Sequence, residues 1–214
     1  MSQSTTEALT NVLSDSEASY LDDFLNRSAD TMRDFADSST CKNCLAEIAQ
    51  TISASLHRGG KLLVAGNGGS AADAQHIAGE FTARLMYDRR PLAAIALTTD
   101  SSAMTAISND YGYDHVFSRQ VAALGRPGDV FIGITTSGRS PNIVRALAEA
   151  RAHGLTTVVF MGDNGVVVDN CDIAFRAPSD WTPLIQQIHI TAAHVVCALV
   201  ERELCPQSGH TASI

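Results

Sequence analysis

Two short, largely apolar runs, residues 61–65 (KLLVA) and 130–134 (VFIGI), each lead straight into a turn of glycines and hydroxyl residues that opens a helix. This repeated strand–turn–helix unit constrains the fold more than any other feature of the chain. Further apolar runs at 92–97, 156–161 and 173–177 alternate with helical stretches at 70–86, 101–124, 140–153 and 183–204. Continuous apolar strands separated by helices predict a parallel sheet covered on both faces. The expected class is α/β, a three-layer doubly wound parallel sheet, preceded by helices over 17–36 and 44–57 and closed by a long C-terminal helix. The first helix would set Leu21, Phe24, Leu25, Met32 and Phe35 on one side. Ligands in such sheets bind beyond the carboxyl ends of the strands, where both turns fall.

The first turn belongs to the run GNGGSAADAQHIAGE, from Gly66 to Glu80. Glycines let backbone N–H groups come close to an anion, and the helix that follows presents its positive end to it. His76 and Glu80 are four residues apart and share a helix face, so an imidazole and a carboxylate project together about two turns from the anion site. The second turn, Thr135-Thr136-Ser137-Gly138-Arg139-Ser140, repeats this logic with four hydroxyls around one glycine. It reads as a phosphate cradle that needs no lysine. Ser140 followed by Pro141 also fits an ordinary helix cap, which leaves the other hydroxyls without a role. A dinucleotide fingerprint, Gly66-x-Gly68-x-x-Ala71, competes for the first turn, but the acid that would hold a ribose is misplaced: Asp100 lies too far on, past Thr98 and Thr99.

The formal net charge is −8 and no run of lysines and arginines occurs, which argues against nucleic acid as a partner. The N-terminus has no basic segment followed by an apolar stretch, and no window is expected to reach the roughly 18 apolar residues of a membrane span. A cytoplasmic protein without a membrane partner is expected. One domain, residues 16–205, is expected between a loose polar leader (1–15) and a tail (206–214). The five cysteines, Cys41, Cys44, Cys171, Cys197 and Cys205, read as reduced thiols. Cys41 and Cys44 have CxxC spacing, but no second pair and no thioredoxin-like context accompany them.

Four segments in order, GNGGSAADAQHIAGEF, Asn109-Asp110-Tyr111-Gly112, TTSGRSPN and IQQIHITAAH, resemble those of the phosphoheptose isomerases, sugar isomerase (SIS) domain enzymes that convert sedoheptulose 7-phosphate to D-glycero-D-manno-heptose 7-phosphate. The resemblance spans about residues 21–204 and implies a flavodoxin-like SIS domain. It implies Glu80 as base and His194 as acid. Substrate contacts would come from Asn67, Gly68, Gly69, Ser70, Glu80, Asn109, Asp110, Thr135, Thr136, Ser137, Ser140 and Gln186. One zinc per subunit would use His76, Glu80, Gln186 and His194. The chain departs from common members at Leu184, Thr135 and Arg139. Eight residues of straight helix separate Gln186 from His194 by about 12 Å along the axis and about 80° around it. The helix is therefore distorted or the ligands come from different subunits, and the family's tetramers, with active sites at subunit interfaces, favour the second.

The implied reaction is aldose–ketose isomerisation through an enediol, supplying heptose for lipopolysaccharide core or another glycan. The alternative is a non-catalytic SIS-domain protein that binds sugar phosphates as a regulator or engages a replication initiator. Initiator-binding relatives lack the equivalents of Glu80 and His194, and both residues are present here. An isomerase acting on another sugar phosphate is a third reading, and a dinucleotide-dependent oxidoreductase falls last.

Overall fold

A computed structural model describes residues 12–166 and 171–207. Most of the expected loose leader, residues 1–11, and most of the tail, 208–214, lie outside the described residues, while the leader's end, Ser14 and Asp15, belongs to the start of the first helix. The chain divides into two compact units, residues 1–38 and 39–214. In the first, helix α1 (Asp15–Asp37) starts at a capping box: the Ser14 side chain accepts from the Glu17 N–H, and Glu17 accepts from the Ser14 N–H at 2.8 Å. Of the apolar side expected there, Phe35 is buried while Leu21 and Leu25 are exposed.

The second unit carries the sheet. Its elements are α2 (Ser39–His57), β1 (Leu62–Gly66), α3 (Gly69–Thr82), β2 (Ala94–Ala96), α4 (Ser101–Tyr111), a 3-10 turn (Tyr113–His115), α5 (Val116–Leu124), β3 (Val130–Ile134), α6 (Pro141–Ala152), β4 (Thr156–Gly162), β5 (Ile173–Ala177) and α7 (Thr182–Leu204). The five strands are all parallel, in the order β2-β1-β3-β4-β5. This is the flavodoxin-like arrangement, and it confirms the doubly wound α/β class. The strands at its centre are buried along their whole length, as their unbroken apolar sequence requires. Successive residues point to opposite faces. Leu63, Ala65, Phe131, Val159 and Met161 join Val116, Phe117 and Val121 of α5 and Ile143 and Leu147 of α6 in one core. Helix α7 contacts both α2 and α3, and the three complete the third layer.

Two elements are shorter than their sequence suggests. Strand β2 keeps three residues of the apolar run 92–97, since it is an edge strand with one neighbour. Helix α3 stops at Thr82 rather than near Met86. The cause is Arg89, which donates to the carbonyls of Glu80 (2.7 Å), Phe81 (2.8 Å) and Ala83 (3.1 Å) and so satisfies the helix end. Arg89 also pairs with Glu201 of α7 at 2.9 Å, with side chains 4% and 1% exposed, and Glu201 takes the N–H groups of Leu85 and Met86. This buried ion pair pins the end of α3 to α7.

Helix α7 corrects the reading that no segment nears a membrane span. An 18-residue window of it reaches a mean hydropathy of 1.4, and half of that window is buried inside the protein, as befits a core helix. Leu184 faces that core at 2% exposure, so the absence of a basic residue there follows from packing. The CxxC thiols donate to the carbonyls of Arg176 and Ala174 on β5. Burial, with Glu47 and the neighbouring thiols adding to it, pushes Cys44 up to about 11, the opposite of a reactive thiolate.

Candidate active site

The sheet order places β1 beside β3, and the chain leaves β1 toward β2 on one side and β3 toward β4 on the other. Their carboxyl ends therefore flank a topological switch point, the place where such sheets bind ligands. Both anion loops lie there. In the first, Gly66 is packed so tightly that a Cβ would collide with the Ser70 backbone. Gly68 adopts φ 56°, a region L side chains avoid, and so lets α3 begin at Gly69. Ser70 is buried in the first turn of that helix. In the second loop Gly138 has φ 69°, and a Cβ there would come within 2.6 Å of the Val166 carbonyl.

Ser140 precedes Pro141 at the start of α6, yet its side chain makes no capping hydrogen bond. Its hydroxyl meets that of Thr135 instead, at 3.0 Å. These two hydroxyls thus face each other rather than capping the helix, while Ser137 Oγ accepts from the Arg139 N–H at 3.2 Å. Thr136 and Ser137 line a cleft of about 220 Å³ that also receives Arg139, Asn164, Asp180 and Thr182. A cationic side chain, Arg139 of the loop itself, and an anionic one, Asp180, accompany the hydroxyls.

The second part of the site is a side-chain cluster. His76 Nε2 lies 3.0 Å from Glu80 Oε1 and 2.8 Å from His194 Nε2, joining α3 to α7 across 118 residues of sequence. The three ligand atoms lie within 4.8 Å of one another. Glu80 is the more enclosed partner, at 18% side-chain exposure against 48% for His76. Two imidazole nitrogens and one carboxylate oxygen converging in this way form the His₂Glu donor set of catalytic zinc sites, which keep a further position open. One turn before His76 sits Asp73, unremarked in the sequence. Its Oδ2 is buried without a hydrogen-bond partner, and burial raises its pKa while His76 opposes the rise.

Gln186 lies by the first loop. Its Nε2 lies 2.7 Å from where a Cβ on Gly69 would stand, so it accompanies the first loop at the start of α3. The straight-helix geometry of α7 separates it from His194, as its sequence spacing requires. Asn109 and Asp110 are exposed at the end of α4, where Asn109 Nδ2 donates to Asp110 Oδ1 at 2.8 Å. The contact from this segment to the first loop is made by Tyr113, whose hydroxyl donates to Asn67 Oδ1 at 3.0 Å. Asn67 also pairs with Asn142. Neither Tyr113 nor Asn142 was singled out from the sequence, although both adjoin segments that were.

The dinucleotide reading loses its acid altogether, because Asp100 caps α4 by accepting from the Ala103 N–H at 2.9 Å. His189 of α7 is a core residue. It is 1% exposed, packed near Phe160 and Phe175, and its Nε2 donates to the Met161 carbonyl at 3.2 Å while Nδ1 has no partner.

Residues 23–162 match the SIS domain family. The phosphoheptose isomerase of Bradyrhizobium sp. (strain ORS 278) is 51% identical over 193 residues, covering 90% of this chain and 98% of the relative. The chain is a SIS-domain protein of the phosphoheptose isomerase family. The Roseiflexus sp. (strain RS-1) member is 56% identical over 161 residues, which is 75% of this chain and 82% of the relative. A solved phosphoheptose isomerase from Francisella tularensis superposes with a TM-score of 0.82 at 33% identity, over 86% of this chain and 98% of that one.

Proposed function

We propose that this phosphoheptose isomerase family member interconverts sedoheptulose 7-phosphate and D-glycero-D-manno-heptose 7-phosphate. The observation that carries the reading is the convergence of His76, Glu80 and His194 beside two anion loops, in a chain more than half identical to named phosphoheptose isomerases. The loops hold the phosphate through backbone N–H groups of residues 67–69 and through the hydroxyls of Ser70, Thr135, Thr136, Ser137 and Ser140. Glu80 takes the proton from the carbon beside the carbonyl and returns it to the neighbouring carbon, which passes the sugar through a cis-enediol. His194 moves protons on the sugar oxygens as general acid and base.

His76, Glu80 and His194 would hold zinc, with Gln186 contributing from a neighbouring subunit or contacting substrate. Zinc so held would supply Lewis-acid polarisation of the carbonyl and hydroxyl oxygens. Val195 and Leu199, exposed beside His194 on α7 at 38% and 40%, offer an apolar surface for contact there, and we read the protein as a homotetramer whose subunit boundaries pass near the sites. We place the enzyme in the cytoplasm, feeding heptose to lipopolysaccharide core or another glycan.

The test is to incubate the protein with sedoheptulose 7-phosphate, with and without zinc, and follow C1 and C2 by NMR. An aldose signal that disappears with Glu80→Gln supports the reading. Absence of turnover under both conditions, with sugar-phosphate binding retained, sinks it in favour of a binding protein.

A further inference from the structure

Asn67 lies in the turn after β1 and Asn142 in the first turn of α6, 75 residues on, and their side-chain amides pair twice. Asn67 Nδ2 donates to Asn142 Oδ1 at 2.9 Å, and Asn142 Nδ2 donates to Asn67 Oδ1 at 2.8 Å. Tyr113, from the 3-10 turn after α4, donates its hydroxyl to the same Asn67 Oδ1 at 3.0 Å. An amide oxygen has two lone pairs and an amide nitrogen two hydrogens. Both acceptor positions of Asn67 are therefore filled, and one of its two hydrogens is used. What remains for a ligand is one N–H, so Asn67 can only donate.

The network is placed to matter. Asn142 is 2% exposed, so the amide pair forms away from water, where such bonds are stronger and a missing partner is costly. Its three members come from the first anion loop, the start of the helix that follows the second loop, and the segment after Asn109 and Asp110. It ties all three together at the switch point. Local structure gives no other account of it: Asn142 spends its amide on Asn67 rather than on its own helix, and Tyr113, 53% exposed, gives its hydroxyl to Asn67.

We propose that Asn142 and Tyr113 are positioning residues for the substrate phosphate, which saturate the acceptor side of Asn67 and fix the span between the two anion loops. The inference rests on the sugar-phosphate reading above and adds to it the residues that set phosphate affinity without touching the reacting carbons.

The test compares Tyr113→Phe and Asn142→Asp with the unaltered protein, by calorimetric titration with inorganic phosphate and by steady-state turnover of sedoheptulose 7-phosphate. Tyr113→Phe removes one neutral hydrogen bond from an exposed residue, so Kd for phosphate and KM should rise together by about three- to tenfold. The kcat value should stay within about twofold, since no transition-state contact is removed. Asn142→Asp keeps the shape, cannot donate to Asn67, and adds a negative charge beside the anion, so both constants should rise by more than about tenfold. If Asn142→Asp does not fold, Tyr113→Phe carries the test with its thermal midpoint unchanged. Unmoved Kd and KM in Tyr113→Phe, or a fall in kcat at constant KM, overturns the proposal. Phosphate titration needs no turnover, so a shifted Kd in a protein that fails to isomerise the sugar upholds the positioning role while the isomerase reading falls.

Discussion

The two halves of the site are built differently. The anion loops are made of backbone, glycine and hydroxyl groups, each loop within one short stretch of sequence, and the sheet sets them side by side by fixing β1 next to β3. The His76–Glu80–His194 cluster is made of side chains on two helices, and its spacing depends on how α3 meets α7. Buried Arg89 and Glu201 hold that junction one end further on. On the proposed roles, binding is a property of strand order and chemistry a property of helix packing. Perturbations should separate them.

The largest separation is expected from Glu80→Gln, which keeps shape and loses the base. Turnover should fall by about 10²- to 10⁴-fold while the Kd for inorganic phosphate stays unchanged. Near-normal turnover, or an equal loss of phosphate binding, would erase the division. Arg89→Ala leaves Glu201 buried without its partner, which should lower unfolding free energy by about 3–5 kcal/mol in urea titrations. Turnover of the folded fraction should drop as well, because α3 loses its anchor to α7; full activity in that fraction would show that the cluster needs no such splint.

A third prediction probes α7 through pH. Burial pushes His189 down to about 4, with the Met161 carbonyl opposing, while an unfolded histidine titrates near 6.5. The unfolded chain thus binds the proton first. The contribution is complete above about pH 6.5 and is lost as pH falls toward about 4, by at most about 3 kcal/mol. Urea unfolding of the native protein and of His189→Gln across that window checks it, and parallel pH profiles would refute it. The smallest effect belongs to Ser140→Ala, which takes one hydroxyl from the second loop. KM should rise by about tenfold with kcat nearly unchanged; a fall in kcat alone would place Ser140 with the chemistry instead.

The same division explains what could be read from the chain. The loops, the strand alternation and the neighbourhood of His76 and Glu80 were legible because each rests on contacts between residues close in sequence. The end of α3 was not: Thr82 is its last residue because Arg89 folds back on its carbonyls, and nothing in the apolar period signals that. Asn142 sat unremarked in TTSGRSPN, since its partner lies 75 residues away. Asp73 differs from other helix acids only in having a buried, unpartnered oxygen, which is a tertiary property. Gln186 was placed with the zinc ligands by resemblance, while helix geometry pointed elsewhere, and it lies against Gly69.

The crowding around Gly66 and Gly138 bears on how such a site can change over generations. Any side chain at either position would strike backbone, at Ser70 or at Val166. Both loops are thus closed to gradual remodelling at these positions. Asn109, Asp110, Arg139 and Asp180 are exposed, and packing sets no such limit on their side chains. A descendant of this chain that took a different sugar would inherit the grip intact and rewrite only what it holds beyond the phosphate.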